Sequence, residues 1–143
     1  MRIFFYCLVA VFTLTLAMPA AAQRTKAPDT AKVYLISPAN GETVSNPVTV
    51  RFGLSGMGIA PAGVEHEGTG HHHLLIDVDP ATINFEESLP SDDNHRHFGG
   101  GQTEATIELP AGTHTLILLL GDQNHIPHDP PIMSARVTIE VTN

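Results

Sequence analysis

From Val33 onward, apolar and polar residues alternate with a period of two in several short stretches, each closed by a turn signal. Val48, Val50, Phe52 and Leu54 alternate with Thr49, Arg51 and Gly53, the signature of a half-buried strand. Ala105, Ile107 and Leu109 share one face of a second such stretch, and Val137, Ile139 and Val141 one face of a closing strand. Residues 114–120 are apolar on both faces, as a central strand is, and residues 71–77, where three histidines run into Leu74-Leu75-Ile76-Asp77, read as a strand from their length and the flanking Gly70 and Pro80. Val33 to Ser37 reads as a first strand and Ala81 to Phe85 as a short edge strand. Between them lie the Asn40-Gly41 turn signal, a Gly-rich loop from Ser55 to Gly70, a loop from Glu86 to Gly101 ending in three glycines, and a loop from Gly121 to Pro131 with three prolines. No segment has useful helical periodicity, and there is no internal repeat. Seven strands (33–37, 47–54, 71–77, 81–85, 102–109, 114–120 and 133–142) predict an all-β fold. The pattern points to an immunoglobulin-like seven-stranded antiparallel sandwich, with a small Greek-key barrel as the alternative.

The first 22 residues follow a different rule. Arg2, the apolar run Ile3–Leu16 and the small residues of Met18-Pro19-Ala20-Ala21-Ala22 have the order of a secretory signal peptide, with cleavage expected after Ala22. Residues 23–32 read as a flexible leader and 33–143 as the folded domain. The expected location is periplasmic or secreted, with no membrane span left after cleavage, because no later apolar run reaches spanning length. Cys7, the single cysteine, lies inside the signal, so the exported chain has no disulfide and no thiolate ligand. A formal net charge of −8 over 143 residues argues against nucleic acid, whose phosphates call for a basic face.

Nine histidines then stand out. If neighbouring strands run up and down, the loops after 47–54, 81–85 and 114–120 emerge at one end. His66, His71, His72, His73, His95, His97, His125 and His128 reach that end, while His114 falls at the other. Residues two apart in a strand share a face, so His71 and His73 point one way, and His72 faces the core with Leu74 and Ile76. His95-Arg96-His97 repeats the spacing if it is extended. Neutral imidazole suits Zn²⁺ and Cu²⁺, so His71, His73, His97 and His125 are the candidate metal ligands, with His72, His95 and His128 as secondary candidates. Asp92, Asp93, Asp122 and Asp129 are candidate acceptors for the ring N–H groups. The competing account is a buried hydrogen-bond network that pins the loops.

Gly70-His71-His72-His73-Leu74-Leu75-Ile76-Asp77, then His97-Phe98-Gly99-Gly100-Gly101-Gln102-Thr103-Glu104, then Leu120-Gly121-Asp122 leading to His125-Ile126-Pro127-His128 resemble the bacterial family catalogued as domain of unknown function 4399. Ile36-Ser37-Pro38-Ala39-Asn40-Gly41 and the segment Gly56–Gly63 are similar too. The resemblance spans about residues 33–142 and implies an exported, single-domain β protein with no settled activity. The sequence reading is therefore an exported, non-catalytic module that binds Zn²⁺ or Cu²⁺ through loop-end histidines; another exported protein is a candidate partner. The alternatives are a structural or protein-binding module whose histidines form a network, or a Cu/Zn metalloenzyme. A blue-copper carrier is ruled out by the missing cysteine ligand.

Overall fold

The computed structural model describes residues 24–143, and the expected signal peptide lies outside the described residues. The described residues are all-β, as expected, in nine strands: β1 (Lys32–Ser37), β2 (Thr43–Ser45), β3 (Val48–Ser55), β4 (Gly58–Ile59), β5 (Thr69–Ile76), β6 (His95–His97), β7 (Glu104–Ile107), β8 (Gly112–Gly121) and β9 (Val137–Thr142). One sheet has the order β1-β3-β7; the other runs β2-β9-β8-β5-β4, with β6 also paired to β5. This departs from a seven-stranded antiparallel plan. Two pairs are parallel, β2 with β9 and β4 with β5, and both are short strands added at sheet edges from segments that the sequence pattern left as loops.

The two sheets share one core. Val33, Val48, Val50 and Phe52 of the first sheet meet Leu74, Ile76, Leu116, Leu118, Leu120, Ile139 and Val141 of the second. The alternation in β3 and β9 places these residues, since every second side chain faces inward. β5 and β8 are apolar on both faces because the outer face of their sheet is covered as well. There Leu75, Ile117 and Leu119 pack with Val78 and Leu89, with Ile83 and Phe85 against them.

That outer cover corrects one strand. Ala81–Phe85, expected at an edge, begins instead as a 3₁₀ turn over Pro80–Thr82. Pro80 fixes the first turn position, and the Asp79 carboxylate accepts the Ala81 N–H at 3.0 Å. Ile83 and Phe85 alternate because they dip onto the outer face, without pairing as a strand. The expected flexible leader is also different. Ala27 N–H donates to the Asp129 carbonyl and Asp129 N–H to the Thr25 carbonyl, both at 2.9 Å, so residues 24–27 lie along the β8–β9 loop. No helix among the described residues is long and apolar enough to cross a membrane.

Leu118 is wholly buried where the two sheets meet, so Leu118→Ala is expected to cost about 2–5 kcal/mol in urea denaturation. Ile36→Ser, at a position 59% exposed, is expected to cost under about 0.5 kcal/mol.

Candidate metal centre

The β5 ladder sets the site. β5 and β8 pair antiparallel with His71 opposite Gly121 and His73 opposite Leu119. On the other side of β5, β6 pairs antiparallel with His97 directly opposite His73 and His95 opposite Leu75. Directly opposed residues project to the same face, so His71, His73 and His97 share the outer face of the larger sheet. The β8–β9 loop brings His125 over them. Each of the four offers a ring nitrogen, and these atoms all lie within 4.8 Å of one another. His71 Nε2 stands 3.1 Å from both His73 Nε2 and His125 Nδ1.

The secondary candidates do not join this group. His72 faces the inter-sheet core, its ring 5.1 Å from that of Phe52 and its Nδ1 donating to the Gln102 carbonyl at 3.2 Å. His95 sits two positions further along the ladder, and its Nδ1 bonds to the Asp92 carboxylate at 2.8 Å. His128 is fully buried, with its ring nitrogens 3.4 Å from the Leu120 carbonyl and 3.3 Å from the Thr69 carbonyl. His66 is exposed, against the Glu67 carbonyl. His114 stands at the opposite end of β8 from Gly121. Its Nδ1 donates to Asp77 at 2.7 Å and its Nε2 faces the Pro110 carbonyl at 2.8 Å.

Of the four expected carboxylate acceptors, Asp92 takes a ring N–H, though from His95, and the other three have other partners. Asp92 binds His95, Asp93 pairs with Arg96 and Asp129 with Lys26. Asp122 accepts backbone N–H groups of Asn124 and Ile126. Three ring nitrogens of the site, Nδ1 of His71, Nδ1 of His73 and Nε2 of His97, are buried with no hydrogen-bond partner among the described residues.

Two glycines that the sequence pattern assigned to turns make room for the rings. A Cβ on Gly121 would sit 2.8 Å from His73 Nε2, and one on Gly99 would sit 2.3 Å from His97 Cε1. Their signal was present as Gly at a strand end and Gly two residues after a histidine, but only the ladder register shows which ring each one faces.

Burial decides the protonation state. Loss of hydration disfavours the imidazolium form, and the neighbouring rings add to it. His71 is pushed down to about 4, first by burial and then by His125 and His97, with Asp122 opposing. His73 is pushed to about 2, again by burial and then by His71. His97 is lowered by burial and then by His125. At neutral pH these rings are neutral, with a free lone pair. His114 goes the other way: burial opposes its charge, but the hydrogen bonds its ring makes to the Asp77 carboxylate and the Pro110 carbonyl, with the Asp77 charge, prevail and raise it.

The sign of the pH dependence follows. Between pH 6.5 and about 4 the unfolded chain takes up a proton that folded His71 refuses. Its contribution to stability is therefore complete above 6.5 and is lost as the pH falls across that window. The loss for His71 alone is about 3 kcal/mol. The urea midpoint of the metal-free protein should accordingly fall steadily from pH 7 to pH 4, and the slope should shrink in His71→Ala. Gly121→Ala, which crowds His73, is expected to cost about 1–3 kcal/mol in the same assay.

A family model described as Domain of unknown function (DUF4399) matches residues 50–142, a span that holds β4 to β9 and all four convergent histidines. No curated protein and no solved structure matches the chain. The match covers well over half of the sequence, and the chain belongs to the DUF4399 family.

Proposed function

We propose that this protein is an exported, non-catalytic module that binds one Zn²⁺ or Cu²⁺ ion through His71, His73, His97 and His125. The observation that carries the reading is the double contact at His71 Nε2, 3.1 Å from two other ring nitrogens. A neutral ring nitrogen carries either one proton or one lone pair, so it makes one linear hydrogen bond, not two. Lone pairs turned toward a shared cation would use all of these inward nitrogens at once. Zn–N bonds of about 2.0–2.1 Å put tetrahedral nitrogens about 3.3–3.4 Å apart. The two 3.1 Å separations are near that value, and the widest pair would have to close in. The depressed basicity of His71 and His73 supports the same reading, because a ligand nitrogen must be unprotonated. The setting we infer is the periplasm or cell exterior, from the order of residues 1–22. The architecture we read as an immunoglobulin-like sandwich with added edge strands.

A second reading rests on the same distances: 3.1 Å is also hydrogen-bond length, which favours a structural network without metal. The outcome is measurable in melting curves. Metal held at about 100 times its Kd adds about 2.7 kcal/mol and should raise the melting temperature by several degrees. The shift is expected with Zn²⁺ or Cu²⁺ at pH 7.5, to shrink at pH 5, to vanish in His71→Ala/His73→Ala and to persist in His114→Ala. A melting temperature indifferent to both metals would favour the network.

A further inference from the structure

His125 is the one member of the quartet carried by a loop, and its backbone lies in the left-handed region at φ 65°, which non-glycine residues enter rarely. The loop is held by Asp122, itself only 2% exposed. His125 N–H donates to the Asp122 carbonyl at 3.0 Å. Asp122 Oδ1 accepts the N–H of Asn124 at 2.8 Å and of Ile126 at 3.1 Å, so the amides on both sides of His125 end on one carboxylate oxygen. The other oxygen, Oδ2, accepts the Thr25 hydroxyl at 2.8 Å. Thr25 thereby fixes the rotation of the carboxylate. The neighbouring Arg24 guanidinium caps the Pro127 carbonyl at 3.1 Å, while the backbone of residues 25–27 brackets Asp129.

We infer that Thr25 is a positioning residue for the candidate metal centre, acting through Asp122 to hold the His125 ring over His71. The inference rests on the metal-binding reading above and goes beyond it. It assigns a role to a segment that lies outside the family match and about 100 residues from the loop in sequence. Thr25 touches none of the four histidines. Its effect is to remove rotational freedom from the carboxylate on which the loop amides converge; partners bonded directly to a ligand typically tune metal affinity about 10–100-fold, and Thr25, one bond further out, belongs at the low end of that range.

The test uses the whole exported chain and Co²⁺ as the probe, since its visible absorption reports ligand number and geometry. Thr25→Val keeps the shape and loses the hydroxyl. It is expected to weaken Co²⁺ about tenfold and to alter the visible spectrum as His125 loosens; Thr25→Ser is expected to restore both. A role confined to folding would lower the metal-free melting temperature and leave affinity and spectrum at their wild-type values, and that result would overturn the inference. If the unaltered chain takes up no Co²⁺, the metal reading fails, and the strap is read separately by amide exchange. Asn124 and Ile126 should then exchange at least several-fold faster in Thr25→Val, and unchanged rates would sink the inference on its own.

Discussion

The structure turns on a strand that has no solvent face. β5 is flanked by β8 on one side and by β6 and β4 on the other, and both of its surfaces are roofed. One surface belongs to the inter-sheet core and the other to the Leu75, Ile117 and Leu119 cluster. Three consecutive histidines enter such a strand only at a cost, because each must lose its hydration. The alternation of the strand then divides them. His72 packs its ring on Phe52, whereas His71 and His73 lie against each other and against the His97 ring. The neutral state of His71 and His73 at physiological pH follows from that double covering.

The two ends of the β5–β8 pair respond to acid in opposite senses. At one end, His71 and His73 are kept neutral by burial and by one another, so acidity works against the folded state there. At the other, His114 lies between the Asp77 carboxylate and the Pro110 carbonyl, both acceptors, and acidity favours the charged ring that can satisfy both. The same residue type on the same ladder thus serves two chemistries, and the difference is the depth of burial and whether a carboxylate accepts a hydrogen bond from the ring.

Much of this was legible in the sequence because it depends on period. The alternation of Val48 to Leu54 and the split of His71 and His73 from His72 are consequences of a repeat of two, and the convergence of His71, His73, His97 and His125 appeared once the loops were assigned. What was not legible depends on pairing partners far apart in the chain. β4 is too short to carry a pattern of its own, and β6 shows only the His-x-His spacing; both are strands because β5 is there to pair with. Ile83 and Phe85 alternate like strand residues but serve as a lid over an apolar face, which local alternation does not distinguish. Thr25 is an ordinary polar residue, and Asp122 a candidate ring acceptor rather than a loop clamp, until the fold brings the start of the described chain beside the β8–β9 loop.

The register of β6 against β5 has a consequence for folding fidelity. His97 lies opposite His73, and its chain neighbour Arg96 lies opposite Leu74. A slip of one residue inverts every side chain of a strand. Such a slip in this three-residue strand would turn His97 toward the inter-sheet core and deliver a permanent positive charge to the cluster of rings. The alternation His-Arg-His therefore ties the composition of the site to a single alignment: a one-residue shift would set Arg96, not His97, opposite His73.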